Sequence, residues 1–219
     1  MPKDTYLTEN NNDSKVQQWQ LSLNIYKKRW KYFTLDNSAL LVIDMQNYFL
    51  DEKSHAFVPS SKIVLKNTIK LVDFFRKHKK PVIFTYFGVL PDEDDPIKNW
   101  WHDSVKSGSE ECKIAAELLS EKGKNDIIIR KSTYSSFYKT NLEDILRKNN
   151  IKNILIAGVL TNLCCETAVR EAFVRSFTVF ISIDAAAAYT EEMHLSALKN
   201  ISYGFATPIS TKEVKEAIK

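Results

Sequence analysis

The segment NILIAGVLTNLCCETAVREAF, residues 153–173, joins a short apolar run to a helical pattern, and this junction decides the fold class. Residues 153–159 form the continuous apolar stretch that is typical of a strand buried on both faces. After it, helical spacing places Cys165, Val169 and Ala172 on one face. A buried strand followed by an amphipathic helix indicates one βα unit of a parallel sheet.

The same alternation extends in both directions from this segment. Five more short apolar runs read as strands: 39–44, 81–87, 126–131, 177–185 and 204–210. Helical patterns lie between or after them: 60–80, 110–122, 139–150, 191–200 and 211–218. The pattern predicts an α/β three-layer sandwich, with a mainly parallel sheet of about six strands and helices on both faces.

The chain of 219 residues divides into two regions of different composition. Residues 1–36 are polar and then amphipathic, which predicts an N-terminal arm with room for one helix, lying on the domain or on a partner subunit. Residues 37–219 form the α/β domain. No apolar run approaches the roughly 20 residues of a membrane span, and no apolar core of a signal peptide is present. We expect a cytoplasmic protein that does not bind membranes.

Composition argues against several other classes of protein. Net charge is only +4, and we interpret the basic stretch at 27–33 as a solvated helix face rather than a nucleic-acid site. Three cysteines without CxxC spacing predict neither a disulfide framework nor a thiolate zinc site. The five glycines are scattered and form neither of the phosphate-binding motifs GxGxxG and GxxxxGK[ST], so no nucleotide cofactor is expected.

Three chemically distinct side chains are predicted to meet at one edge of the sheet. Asp44 ends the first apolar run, Lys131 ends the third, and Cys164 with Cys165 follows the fourth. Because right-handed crossovers place the carboxyl ends of parallel strands together, these groups share the ligand-binding edge. Each has an ordinary interpretation alone, as a turn former, a solvated cation or a packing residue. Their coincidence favours catalysis.

The chemistry of this group of residues is that of an activated thiol. An ordinary thiol has a pKa of about 8.5, and a helix N-terminus, an ammonium or a neighbouring base can activate it. Here Thr161 or Asn162 would cap the helix, Lys131 would supply the ammonium, and Asp44 would accept the thiol proton and later deliver it to a leaving amine. Backbone amides of the turn would form an oxyanion hole.

Two choices of residue follow from helical position. Cys165 shares its face with the apolar stripe that includes Phe173, whereas Cys164 is turned about 100° away, so we predict Cys164 as the nucleophile. A rival Cys–His–Asp arrangement would use His194 and Asp184. His194 falls inside a helical pattern rather than at a strand end, which favours a structural histidine.

These motifs resemble those of the isochorismatase-like cysteine hydrolase superfamily, over about residues 39–214. ALLVIDMQNYF, from residue 39, is similar to its first strand with the catalytic aspartate at Asp44. RKSTYSSFYKTNLEDIL, from residue 130, is similar to its lysine motif and places the lysine at Lys131. GVLTNLCCETAVREAF, from residue 158, is similar to its nucleophile motif and places the cysteine at Cys164. The resemblance implies a six-stranded parallel sheet.

The resemblance also implies finer features of the site. They are a cis peptide bond between Val159 and Leu160, and an oxyanion hole formed by the backbone N–H groups of Leu160 and Cys164. Homodimers or homotetramers are implied as well. We predict the pocket wall among the nearby polar and aromatic residues: Gln46, Phe49, Trp100, Trp101 and Tyr134.

Departures from the family pattern narrow the expected activity. Nicotinamidases carry a metal site with an Asp-x-His segment and a further histidine, and 50–59 and 85–94 lack both. We therefore predict no metal, no cofactor and an activity other than nicotinamidase. The retained Cys164 indicates hydrolysis of a small carboxamide or carbamoyl substrate through a thioester. An isochorismatase-type vinyl-ether hydrolase, and a non-catalytic binding or redox protein, remain as alternatives.

Overall fold

A computed structural model describes residues 2–120, 123 and 126–217. In this part of the chain six strands form one sheet in the order β3-β2-β1-β4-β5-β6, and every neighbouring pair is parallel. The strands are β1 (Ser38–Ile43), β2 (Val82–Phe87), β3 (Asp126–Lys131), β4 (Asn153–Val159), β5 (Thr178–Ala187) and β6 (Ala206–Ile209). The predicted six-stranded parallel sheet is confirmed.

Helices cover both faces of the sheet, as predicted. They are α1 (Asn12–Leu23), α2 (Asn47–Leu50), α3 (Ser61–Lys77), α4 (Pro96–Trp101), α5 (Ala116–Leu119), α6 (Leu142–Lys148), α7 (Glu166–Val174), α8 (Glu191–Gly204) and α9 (Thr211–Glu216). A 3₁₀ segment, Asn24–Arg29, follows α1, and a π turn, Thr161–Cys165, precedes α7. α3 packs against β1, β2, β4 and β5, whereas α7 and α8 pack against each other and the β4–β6 side.

α3, which lies within the helix predicted for residues 60–80, buries one face against the sheet. Val64, Thr68, Leu71 and Phe75 are all withdrawn from solvent at the spacing of one helical face. Basic residues in the last turn complement the negative end of the helix dipole. This buried stripe fixes α3 against the centre of the sheet, directly beside the strands whose ends carry the candidate site.

The helix predicted for residues 110–122 is shorter than expected. Only Ala116–Leu119 is helical among its described residues, and positions 121 and 122 lie outside the part that the structure describes. Residues 111–115 instead bond to the backbone after β1, where the Ala115 N–H donates to Met45 O at 2.8 Å and the Asn47 N–H donates to Lys113 O at 2.9 Å. This long-range pairing replaces the local helical hydrogen bonds.

The N-terminal arm packs on its own domain. Trp19 and Leu23 of α1 are fully buried, and the Trp19 ring lies 4.8 Å from the His194 ring of α8. The Trp19 indole N–H donates to Glu191 at 2.9 Å. Three expectations stay predictions: contact of the arm with a partner subunit, the homo-oligomeric state and the cytoplasmic location.

Among the described helices, none has both the length and the apolar character needed to cross a bilayer.

Candidate active site

Asp44 lies directly after β1, with its carboxylate withdrawn from solvent. Its backbone adopts a φ of 49°, a left-handed conformation that aspartate tolerates better than most residues. The β1–β2 register brings Thr85 beside it, and the Thr85 hydroxyl donates to Asp44 Oδ1 at 3.0 Å. The strand pairing therefore fixes one carboxylate oxygen and leaves Oδ2 for other partners.

Lys131, the last residue of β3, extends its side chain under the same sheet edge. Its ammonium lies 2.7 Å from Asp44 Oδ2 and 3.3 Å from Cys164 Sγ. The ammonium also donates to Thr133 O at 2.8 Å. These three partners, contributed by separate segments, hold the buried cation between a carboxylate and a thiol.

Cys164 belongs to the π turn that follows β4. The sequence had predicted that it would lie at the capped start of an α-helix. Neither Thr161 nor Asn162 acts as a side-chain cap; Leu160 occupies the position before the turn. The peptide bond between Val159 and Leu160 is cis, as the resemblance implies. Cys164 borders a cavity, whereas its neighbour Cys165 is fully buried and does not.

Gly158 allows β1 and β4 to approach closely beside this turn. Its φ is 118°, in a region that side chains rarely adopt. A Cβ atom there would lie 2.0 Å from Ile43 O, well inside van der Waals contact. Because Ile43 precedes Asp44 and Gly158 precedes the turn, the missing side chain allows the carboxylate and thiol segments to lie side by side.

Burial controls the protonation of the cluster. It raises the pKa of Cys164 to about 12, because the loss of solvent outweighs the attraction of Lys131 for a thiolate. Burial by itself would lower the pKa of Lys131, but the charges of Asp44 and Cys164 outweigh it, so this pKa is raised. The raised pKa of Cys164 thus has burial as its main cause and the charge of Asp44 as a further one, and Lys131 offsets them only in part.

Asp44 Oδ2 is the atom best placed to accept the thiol proton. It is fully buried and lies 2.7 Å from Lys131 Nζ, and the Cys164 thiol also interacts with the Asp44 carboxylate. A buried base with an available lone pair can take a proton from a neutral thiol during attack.

A cavity of about 230 Å³ opens above these groups. Of the predicted wall residues, Phe49, Trp101 and Tyr134 line it, and the Trp101 indole N–H donates to the Tyr134 hydroxyl at 2.5 Å. The structure does not place the other two predicted residues in the wall of this cavity. Gln46 is buried and does not line the cavity, because its amide bonds to backbone atoms of Phe87 and Cys112. Trp100 is 75% exposed and does not line the cavity.

Several lining residues were missed by sequence analysis. The additional side chains with polar or aromatic character are Lys3, Tyr48, His55, Phe87, Asp103, Thr133 and Tyr189. Asp103 accepts a hydrogen bond from the Tyr48 hydroxyl at 2.6 Å and lies 2.8 Å from His55 Nε2. No local pattern could have found this group, because its members lie in separate loops and meet only in the fold.

The rival histidine arrangement does not form. His194 is fully buried behind the π turn, where Nδ1 lies 2.8 Å from the Thr161 hydroxyl and Nε2 lies 3.1 Å from Ile183 O. Asp184 instead accepts hydrogen bonds from the backbone N–H and hydroxyl of Thr211, at the start of α9. His194 is thus a satisfied structural residue that holds the turn, as the sequence favoured.

Side chains that could bind a metal ion are dispersed in the described part of the chain. Across residues 2–120, 123 and 126–217, no three His, Cys, Asp or Glu side chains gather closely enough to hold one. The expectation that the protein uses no metal and no cofactor stays a prediction.

A thiol, an ammonium and a carboxylate at the carboxyl edge of a parallel sheet define a candidate cysteine hydrolase of the α/β class. The isochorismatase domain model matches residues 38–213. The chain therefore belongs to the isochorismatase family of hydrolases.

Individual relatives agree with this assignment. A protein of Arabidopsis thaliana named Nicotinamidase 3 is 36% identical over 183 residues, which are 83% of this chain and 88% of the relative. The structure of a cysteine hydrolase from Pseudomonas syringae pv. phaseolicola 1448A superposes with a TM-score of 0.80 at 25% identity, covering 87% of this chain and 95% of the other. The structure of an N-carbamoylsarcosine amidase from Thermoplasma acidophilum superposes with a TM-score of 0.70 at 26% sequence identity. The match covers 80% of this chain and 96% of the amidase.

Proposed function

We propose that this chain is a cysteine amidohydrolase that cleaves the C–N bond of a small carboxamide or carbamoyl substrate. The observation that carries the proposal is the contact of Lys131 with both Asp44 and Cys164 beneath a cavity lined by aromatic side chains. Relatives named as a nicotinamidase and an N-carbamoylsarcosine amidase support C–N bond hydrolysis.

The first step is nucleophilic attack by Cys164. Since its pKa is about 12, the resting thiol is neutral. Asp44 Oδ2 accepts the thiol proton as Sγ forms a bond to the carbonyl carbon, so that no free thiolate accumulates. Lys131 stabilises the developing negative charge on sulfur, from which its ammonium lies 3.3 Å away.

The second step is expulsion of the amine. The tetrahedral oxyanion accepts hydrogen bonds from the backbone N–H groups of Leu160 and Cys164, each worth about 3 kcal/mol in comparable sites. Protonated Asp44 delivers its proton to the leaving nitrogen, the C–N bond breaks, and a thioester on Cys164 remains. The Val159–Leu160 cis bond, which the family resemblance implies at this turn, accompanies the proposed oxyanion donors.

The third step is hydrolysis of the thioester. Asp44, again ionised, accepts a proton from a water molecule that attacks the thioester carbon. Collapse of this second tetrahedral intermediate returns the proton to sulfur and releases a carboxylic acid. Lys131 keeps Asp44 oriented throughout, because the two groups are in contact and excluded from solvent. The same carboxylate therefore acts as base, acid and base again.

Ammonia release from a panel of small amides tests the proposal. The panel should include nicotinamide, because the 36% identical relative is named Nicotinamidase 3, although our sequence-based prediction that nicotinamide is not the substrate still stands. We expect Cys164→Ala to abolish release and Cys165→Ala to retain it, since only Cys164 borders the cavity. Intact-mass analysis after rapid acid quenching should detect the thioester on wild type and on Cys165→Ala, but not on Cys164→Ala.

The alternatives give different results. A vinyl-ether hydrolase using Asp44 and Lys131 would remain active as Cys164→Ala, and no acyl adduct would form. A binding protein on the same scaffold would release ammonia from no amide. Loss of activity in Cys165→Ala but not Cys164→Ala, with both variants folded, would show that the wrong sulfur was assigned.

A further inference from the structure

The start of the N-terminal arm runs along the mouth of the cavity. The Asp4 N–H donates to Tyr189 O at 3.0 Å, and the Leu7 N–H donates to the Ser60 hydroxyl at 3.2 Å. The Tyr6 hydroxyl accepts from the Ala188 N–H at 3.0 Å. These bonds attach residues 4–7 to two loops that border the cavity, so the preceding residue has a defined position beside it.

Lys3 places its ammonium at this mouth. Nζ donates to His55 O at 2.5 Å and to Phe57 O at 2.8 Å, and it lies 4.7 Å from the centre of the Tyr189 ring. Lys3 and Tyr189 both line the cavity. An ammonium has three N–H bonds, and within the described residues two of them have acceptors. One donor is therefore available to a ligand.

The charges around the cavity leave Lys3 without an anionic partner. Asp44 is paired with Lys131, and Asp103 is satisfied by the Tyr48 hydroxyl and by His55. Among the described residues, no carboxylate forms an ion pair with Lys3, whose acceptors are neutral carbonyl oxygens. Lys3 is exposed, but partial burial lowers its pKa, and a nearby anion would favour its charged form.

We propose that Lys3 is a specificity-determining residue that binds a carboxylate on the substrate. This inference rests on the proposed amidohydrolase function and specifies the class of amide. Such a substrate carries its scissile carbonyl at one end, toward Cys164, and an anionic group at the other, toward the arm. The apolar and aromatic wall between them, which includes Phe49 and Leu163, contacts the connecting carbon skeleton.

Binding to the Cys164→Ala protein tests the inference without requiring turnover. The probes are two matched pairs: 3-carbamoylbenzoate with 3-methylbenzamide, and succinamate with butanamide. By calorimetry we expect the carboxylate member of at least one pair to bind more tightly than its neutral partner. Adding Lys3→Met should weaken that carboxylate about tenfold, or about 1.4 kcal/mol, and the neutral partner far less. Added salt should weaken the carboxylate selectively.

Two further variants separate charge from structure. Lys3→Arg keeps the cation and should retain most of the carboxylate preference, whereas Lys199→Met removes one exposed charge elsewhere and should change nothing. Equal weakening of charged and neutral probes by Lys3→Met would show that Lys3 only holds the arm, and would overturn the inference. So would the absence of carboxylate preference in both pairs. Normal carboxylate binding without ammonia release by wild type would instead overturn only the proposed reaction.

Discussion

Lys131 Nζ lies 2.7 Å from Asp44 Oδ2, and neither side chain has any measurable exposure to solvent. Each charge depends on the other, because water cannot compensate either one. Removing one member of such a pair leaves an unbalanced buried charge, which is more costly than removing both. The pair is therefore part of the folded core as well as of the proposed mechanism.

Lys131→Met should lower the free energy of unfolding by about 3–5 kcal/mol, because Asp44 is left buried without its cation. Asp44→Asn combined with Lys131→Met should recover much of that loss while remaining inactive. Urea denaturation followed by circular dichroism gives both values. Lys62→Met provides the control: its pair with Glu52 is mostly exposed, so the loss should stay below about 1 kcal/mol. Equal losses of unfolding free energy in Lys131→Met and Lys62→Met would contradict a buried ion pair between Lys131 and Asp44.

Alkylation of Cys164 should be slow at neutral pH and should accelerate with alkali. Since its pKa is about 12, the thiolate fraction rises about tenfold per pH unit between pH 7 and 10. The rate of carbamidomethylation by iodoacetamide, followed by peptide mass spectrometry, measures this directly. Cys164→Ala identifies the background from Cys112 and Cys165, which are buried. A rate that levels off below pH 8 would instead indicate a stable thiolate beside Lys131.

The predictable parts of the fold are those specified by local sequence. β4 begins and ends at the residues where its apolar run does, because a strand buried on both faces must be apolar throughout. β3 also spans the residues predicted for it, although it is a partly exposed edge strand. Asp44, Lys131 and Cys164 could be placed together because each follows or ends a strand predicted from the sequence. The topology of a parallel sheet then supplies their proximity.

Long-range contacts account for the parts that sequence could not reveal. The segment near residue 113 pairs with the backbone after β1 instead of forming the expected helix. Lys3 reaches the cavity by bonding to His55 and Phe57, more than 50 positions away. The raised pKa of the Cys164 thiol also could not be read from the sequence, because the depth of Cys164 and the charge of Asp44 beside it are properties of the packed molecule.

His194 should make the protein sensitive to acid. Burial lowers its pKa to about 4, from an ordinary value of 6.5. Its Nε2–H donates to Ile183 O, so Nδ1 accepts from the Thr161 hydroxyl, and this neutral form is the one that the fold accommodates. A lowered folded-state pKa gives stability that is fully present above pH 6.5 and is lost as pH falls to about 4. The loss is about 3 kcal/mol over that range.

Urea unfolding at pH 7 and pH 4 measures this loss. Other groups contribute to acid denaturation, so the comparison is with His194→Gln, which keeps a side-chain donor but does not titrate. We expect wild type to lose about 3 kcal/mol more than this variant between the two pH values. If wild type and His194→Gln lost the same unfolding free energy between pH 7 and pH 4, His194 would titrate normally. That result would argue against its burial behind the π turn.

Gly158→Ala should be among the most damaging single-methyl changes in the chain. The added Cβ would lie 2.0 Å from Ile43 O and 2.7 Å from Ile43 N, both backbone atoms of the adjacent central strand that cannot rotate away. The φ of 118° adds strain for any residue with a side chain. We expect a loss of more than about 4 kcal/mol or failure to fold, measured by urea denaturation and the yield of soluble protein.

Gly204→Ala is the matched control, because the same methyl group at the end of α8 meets no atom within 4 Å. Its effect should lie within about 1 kcal/mol and should tend towards stabilisation, since alanine favours the helix and restricts the unfolded chain. A Gly158→Ala protein of near wild-type stability would mean that β1 and β4 are farther apart at this point. Asp44 and the Cys164 turn would then lack the close approach on which their proposed proton transfer depends.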